Sequence, residues 1–309
     1  MLEKLYYQDK GLFLQSFHPA TVLLYLLVLL VLSLLYDHPL YLLCLLFLLA
    51  CLIKGTEGMA IWEGFLKIGL MMMLVLMVVN PLVIRSGATI IWQGPVVPLL
   101  GRLDISLEAI YFGLVSGLRL LVILSIFCLY NLMVNPDQAL NLFARAAGKS
   151  ALMVALATRM FPTMVRDLRR IKEVMELRGV DFDQGSLGQR VKKYAGLYNV
   201  LLFSSLEGSL EIAESMQARA YGSGKRTIYS RHLLRPRDYL TLGGSLLALS
   251  AAVWGLAHGC GGFNFYPEMD GLITGKGTMA VLVIVFFYLY VPLMLGGGYK
   301  YCRYIKSKI

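Results

Sequence analysis

Several runs of this chain continue for about 14 to 18 residues without a charged side chain, and such runs are at home only where no water competes for their surface. They predict an all-α, polytopic membrane protein with helices at roughly 20–35, 39–53, 67–84, 105–134, 239–257 and 278–296. The fourth is long enough to project beyond a hydrocarbon core of about 30 Å, reaching roughly 45 Å. The first two are short, and Asp37-His38-Pro39 leaves room only for a tight turn, so they read as a hairpin. Composition agrees. Apolar residues make up 58% of the chain, roughly 62% when Gly is counted in place of Tyr, against about 45 to 50% in soluble domains. The apolar run 21–35 starts late and ends in Tyr-Asp-His-Pro, so it is expected to remain as a span and not to be cleaved as a signal.

Charge is concentrated in one place. Of a net +10, residues 144–237 hold 17 Lys and Arg against 8 Asp and Glu, while the remainder is nearly balanced. Excess Lys and Arg keep a loop on the cytoplasmic side. With six spans, both termini and residues 136–237 are then expected to be cytoplasmic, in a cell-membrane protein that crosses the bilayer several times. Lys300, Arg303, Lys306 and Lys308 near the C-terminus fit that orientation. The organisation expected is a membrane domain formed by 1–135 and 238–309, and a cytoplasmic domain at 136–237. The topology rule alone explains the basic segment, so no nucleic acid is needed as a partner.

That segment reads as built structure. Asn135-Pro136-Asp137 stops one helix and caps the next, giving a short helix at 139–147 closed by Gly148. A long helix follows at 151–178, with Met164, Leu168, Ile171 and Met175 on one face; Pro162 is expected to kink or divide it, and Gly179 to end it. A second long helix, about 188–220, aligns Leu202, Leu206, Leu210 and Ala213 in a stripe and stops at Tyr221-Gly222-Ser223-Gly224. The two helices finish in similar signatures, Glu176-Leu177-Arg178-Gly179 and Gln217-Ala218-Arg219-Ala220-Tyr221-Gly222. An Arg in a last turn meets the negative end of the helix dipole, which is ordinary capping. The same Arg at two helix tips also offers a planar fork to a carboxylate in an acidic groove of a partner.

The order of these features resembles the transmembrane T component of energy-coupling factor (ECF) transporters, related to the membrane subunit of cobalt and nickel importers. The resemblance rests on Gly117-Leu118-Arg119-Leu120, Asn135-Pro136-Asp137-Gln138-Ala139-Leu140, Ala157-Thr158-Arg159-Met160-Phe161-Pro162, Arg178-Gly179 and Ala218-Arg219-Ala220-Tyr221-Gly222. Leu177 and Ala220 depart from the family's usual Ala and Gly, and Gly148-Lys149-Ser150 lacks a Pro often found there. The resemblance implies a scaffold subunit of an ATP-driven importer of a vitamin or transition-metal ion. It implies two ATP-binding cassette (ABC) ATPase subunits docked at Glu176, Leu177, Arg178, Gly179, Ala218, Arg219, Ala220 and Gly222. It also implies a small substrate-binding membrane subunit as partner, with Arg119, Pro136, Arg159 and Pro162 in supporting roles.

No catalytic kit, cofactor site or metal site of its own is expected in the chain. Gly222-Ser223-Gly224-Lys225 fails as a phosphate loop, because Arg219 stands where the first Gly belongs and Arg226 where Ser or Thr belongs. His18, His38, His232 and His258 have no ligand spacing, and the five cysteines form no CxxC pair. Arg119, a charge deep in a span, is expected to make an architectural polar contact with helix ends or with the elongated cytoplasmic helices. Met71-Met72-Met73 and Met77, with the first hairpin, offer a pliable apolar surface; Leu24, Leu27, Met72 and Met77 are the expected docking residues for the substrate-binding subunit. Two rivals stand beside this reading. A stand-alone secondary transporter would need midplane acids, and a membrane-embedded lipid transferase would need clustered acids, for which Asp181 and Asp183 are the candidates.

Overall fold

The structure, a computed structural model, describes residues 17–83, 89–97, 101–135, 138–139, 142, 149–224, 234–263, 265 and 275–295. Its contacts divide the chain into two compact units, Met1–Ala139 with Leu233–Ile309, and Leu140–His232.

The first unit holds α1 (Pro19–Leu35), α2 (Pro39–Gly55), α3 (Met59–Val83), strands β1 (Ile90–Val97) and β2 (Gly101–Ser106), and α4 (Leu107–Met133). After the second unit it resumes with two further helices, Pro236–Ala257 and Gly275–Leu289. The helices Met59–Val83, Leu107–Met133, Pro236–Ala257 and Gly277–Leu295 are long and apolar enough to cross a membrane. α1 and α2 have 17 residues each, about 25 Å against a core of about 30 Å. Each begins at a His-Pro step, where the ring Nδ1 of His18 or His38 accepts the backbone N–H of Ala20 (3.1 Å) or Leu40 (3.3 Å), and the Pro that follows needs no partner for a missing N–H.

Two boundaries differ from the sequence expectation. α3 starts at Met59 and not at 67, because Glu63 and Lys67 lie in its first turns and only interrupt the apolar run. Between the expected third and fourth helices, where the sequence predicts no element, lies an antiparallel ribbon, with Ile90 opposite Ser106 and Val97 opposite Gly101. Thr89 donates its N–H (3.0 Å) to the Glu108 carboxylate in the first turn of α4, tying the ribbon's base to that helix.

α3 is held chiefly by α4, along a seam made of glycine. A Cβ added at Gly117 would lie 2.6 Å from Met73 Cγ and 2.7 Å from its Cα, and one at Gly113 would lie 2.8 Å from the Leu76 carbonyl oxygen. This Gly-x-x-x-Gly pair lets the two backbones approach, which is how helices associate where lipid removes the hydrophobic gain. Trp62 adds a polar bond across the seam, donating Nε1–H to Ser125 Oγ at 3.0 Å.

We number the second unit's helices α5 (Lys149–Leu177) and α6 (Leu187–Ala218), and the last two of the first unit α7 (Pro236–Ala257) and α8 (Gly275–Leu289). α7 and α8 pack on small residues as well. Gly244 faces the Tyr288 carbonyl and Gly255 faces Val281, while Ala248 and Ala252 between them are fully buried. Three tyrosines of the α1–α2 hairpin donate their hydroxyls to carbonyls of α7 and α8: Tyr25 to Leu289 (2.9 Å), Tyr36 to Ala252 (3.2 Å) and Tyr41 to Thr278 (2.8 Å). The Leu289 bond has a local cause. Pro292 breaks the helical pattern, Leu293 N–H turns to Tyr290 O, and the Tyr25 hydroxyl serves the carbonyl released at the break.

In the second unit α5 and α6 form an antiparallel-type hairpin joined by 178–186. Of the kink or division expected at Pro162, no division occurs, and α5 runs through it as one helix; Thr158, whose carbonyl loses its bond to the missing N–H, is exposed, so water can serve it. α6 buries Leu197 and Leu201, whereas the stripe read from the sequence, Leu202, Leu206 and Leu210, is more than half exposed. Pro136 and most of the expected helix at 139–147 lie outside the described residues.

The glycine seam gives a direct test. Gly117→Val should lower the resistance of the detergent-solubilised protein to unfolding by about 1–3 kcal/mol, whereas Gly64→Val, with open space around its Cβ position, should leave it nearly unchanged. Denaturant titration followed by tryptophan fluorescence measures both.

Candidate functional site

Both signature arginines occupy the same position of the same backbone motif. At the end of α5, Val180 N–H bonds Met175 O (3.1 Å) and Gly179 N–H bonds Glu176 O (2.9 Å), with Gly179 at φ +85°. At the end of α6, Tyr221 N–H bonds Met216 O (3.0 Å) and Ala220 N–H bonds Gln217 O (2.9 Å), with Ala220 at φ +57°. Each is a Schellman motif, in which a left-handed residue turns the chain back and satisfies the last carbonyls of the helix. Arg178 and Arg219 are the residues immediately before the turn.

The consequence is a displayed cation. Arg178 and Arg219 are exposed, as are Glu176, Leu177, Gly179, Ala218, Ala220 and Gly222, and Leu177 is 87% exposed. Local packing does not absorb these side chains, so both guanidinium forks remain available to a carboxylate. The departures noted in the sequence are now explicable. Leu177 leaves its side chain in solvent, and Ala220 takes the left-handed turn with a Cβ, a conformation that glycine adopts without the steric penalty.

The elbow between the helices is braced by its acidic residues. Asp181 Oδ1 accepts the N–H groups of Asp183 (2.9 Å) and Gln184 (3.3 Å), and Arg190 lies 3.5 Å from Asp183. Lys193 donates to the carbonyls of Asp181 and Gln184, while Phe182 is buried against Tyr194. Asp181 and Asp183 thus serve as turn and brace residues. Among the described residues no group of three or more His, Cys, Asp or Glu is placed to hold a metal ion.

Other expected site residues are dispersed. Arg159 and Pro162 are exposed on α5. Arg119 forms an ion pair with Asp37 and donates to the Tyr36 carbonyl (3.3 Å), so its contact is with the α1–α2 turn. Asp37 was readable only as a turn residue, since its partner is 82 residues away. Leu27 and Met72 are exposed, Leu24 is half-buried, and Met77 is half-buried with its Cα beside Gly113 in the α3–α4 seam. Sequence reasoning missed Asp238, buried at the start of α7 and bonded to the backbone of His18 at 3.0 Å. An Asp in a helix's first turn signals only a local cap.

The cobalt transport protein family CbiQ matches residues 12–229. The energy-coupling factor transporter transmembrane protein of Streptococcus thermophilus is 32% identical over 161 residues, covering 48% of this chain and 61% of that protein. Its counterpart in Heliobacterium modesticaldum is 33% identical over 125 residues, covering 40% of this chain and 43% of that protein. The chain therefore spans less than two thirds of the length of either relative. A protein of Bifidobacterium longum described as an ABC transporter ATP-binding protein is 24% identical over 196 residues, which cover 60% of this chain and 24% of that protein.

The left-handed turns can be tested at single amides. Gly179→Ala should cost the end of α5 about 1 kcal/mol and speed hydrogen exchange at Val180 roughly fivefold. Ala220→Gly should slow exchange at Tyr221 by up to about the same factor, because it removes the Cβ from the left-handed position.

Proposed function

From the premise that this chain belongs to the CbiQ cobalt transport protein family, we propose that it is the energy-coupling scaffold of an ATP-driven ECF-type importer. The observation that carries the proposal is the pair of matched helix ends, each presenting an exposed Arg just before a left-handed turn. Two equal outlets suit two ABC ATPase subunits, each receiving one guanidinium in an acidic groove. The relative from Bifidobacterium longum, whose own description is an ATP-binding protein, supports such a partnership.

In this reading the chain contributes no hydrolytic chemistry. ATP is cleaved in the partners, and the α5–α6 unit passes their movement on. The unit's basic character supports a cytoplasmic position for it and for both termini. A small substrate-binding membrane subunit docks on the apolar flank of the bundle, where exposed Leu27 and Met72 are available; Leu24 and Met77 contribute packing behind that surface. The cargo is a vitamin or a transition-metal ion, recognised by that subunit. Arg119 and Asp37 fix the α1–α2 turn against α4, and Arg159 and Pro162 lie on the exposed side of α5.

Affinity purification of the wild-type chain from its native membrane should retain ABC ATPase subunits and a small membrane protein, identified by mass spectrometry. Arg178→Glu or Arg219→Glu should reduce ATPase recovery at least tenfold while leaving insertion intact, because truncating or reversing one partner of a charge pair costs about 2–5 kcal/mol. Full recovery with both reversals would sink the coupling assignment.

A further inference from the structure

The chain leaves the first unit after Ala139 and rejoins it at Leu233, three residues before α7 begins at Pro236. At that return Asp238 is 1% exposed, and its two carboxylate oxygens serve different helices. Oδ2 accepts the N–H of Arg235, the N-cap of α7, at 2.8 Å. Oδ1 accepts the N–H of His18, the N-cap of α1, at 3.0 Å and across 220 positions of sequence. Bonds from backbone amides to a carboxylate are charge-assisted, and both helix ends present positive dipole to it. Arg237 lies beside them with its guanidinium 5.2 Å from the centre of the Phe17 ring.

A capping box needs the carboxylate only for its own helix. Here the second oxygen is committed to α1. α1 is already joined to α7 higher up through Tyr36 and Ala252, and to α8 through Tyr25 and Leu289. The Asp238 bond is therefore not what gathers the helices; it stands at the end where the chain arrives from the second unit. Together with Arg237 over Phe17, it ties the first turn of α7 to the start of α1.

We propose that Asp238 is a positioning residue for coupling: it makes α1 and α7 one body at the return of the chain, so that displacement of the α5–α6 unit reaches the α1–α2 hairpin. This rests on the coupling function proposed above. Three substitutions separate the clamp from general stability. Asp238→Asn leaves one acceptor for two N–H donors. His18→Pro removes the α1 donor together with the ring cap on Ala20, and the native φ of −63° and ψ of 134° suit proline. His18→Ala keeps the backbone donor and loses the ring cap on Ala20.

The test uses the purified complex with its ATPases in lipid nanodiscs, with the five native cysteines replaced by Ala. A nitroxide is placed on exposed Leu34 of α1 or exposed Leu247 of α7, each as Cys. In the wild type, trapping with ATP and vanadate should change the spectra of both labels. In Asp238→Asn and His18→Pro, ATP hydrolysis and the Leu247 response should persist, while the Leu34 response falls at least fivefold. His18→Ala should behave as the wild type. A Leu34 response that survives both clamp variants, or one that is lost equally in His18→Ala, overturns the proposal. So does a parallel loss of insertion, hydrolysis and both responses, which marks a purely structural role. A wild-type complex that hydrolyses ATP while Leu34 stays silent overturns the clamp alone; a wild-type chain that retains no ATPase overturns the coupling function beneath it.

Discussion

Between two helices in lipid, burying carbon against carbon gains little, because the hydrocarbon chains they leave are as apolar as the surface they meet. Close backbone approach and internal polar bonds must supply the adhesion. The first unit follows that constraint throughout. Gly113 and Gly117 admit the backbone of α3 to α4, and Gly244, Ala248, Ala252 and Gly255 line the contacts of α7. The tyrosine hydroxyls of the first hairpin then find carbonyls on α7 and α8 that they can serve. Side-chain volume is spent elsewhere: the outward faces of α3 carry Leu70, Met71, Leu74, Val75 and Val78, all exposed.

The second unit obeys different rules. Its helices carry charges on most turns and bury little, and its elbow is held by carbonyl and carboxylate bonds that water-exposed loops commonly use. Such a unit is suited to presenting groups. Each long helix ends in a fixed turn whose geometry is set by backbone bonds, so an Arg just before it points from a rigid base even though its own side chain has many rotamers. Apolar Leu202, Phe203, Leu206 and Leu210 remain uncovered on α6 beside that display.

What was legible in the sequence was whatever depends on near neighbours. Charge-free runs marked the spans, Gly179 marked the end of α5, and the two helices of the second unit were placed within a few residues because their caps and periodicity are local. The ribbon at 90–106 was not, since two short strands interrupted by bulges lack the strict alternation that signals a hairpin. On α6 the stripe read from the sequence is exposed while Leu197 and Leu201 are buried, a choice between apolar faces that periodicity alone does not make. Asp37 with Arg119, and Asp238 with His18, join positions far apart in sequence, and no spacing rule reaches them. The Schellman turns were half visible. Gly179 announces one, while Ala220 in a left-handed conformation is what few sequence readers would place there.

The long reach of those bonds also orders events in time. Tyr25 meets its carbonyl acceptor only at Leu289, 264 residues later, and the His18 amide meets Asp238 after 220. At about 5–20 residues per second, a ribosome needs on the order of 10 to 50 s to deliver those acceptors. Throughout that interval the phenol groups of the α1–α2 hairpin lack their final partners, and the whole second unit is synthesised meanwhile. The α1–α2 hairpin is thus a waiting intermediate of biogenesis, and α7 and α8, which leave the ribosome long after it, are the ones that lock it in place.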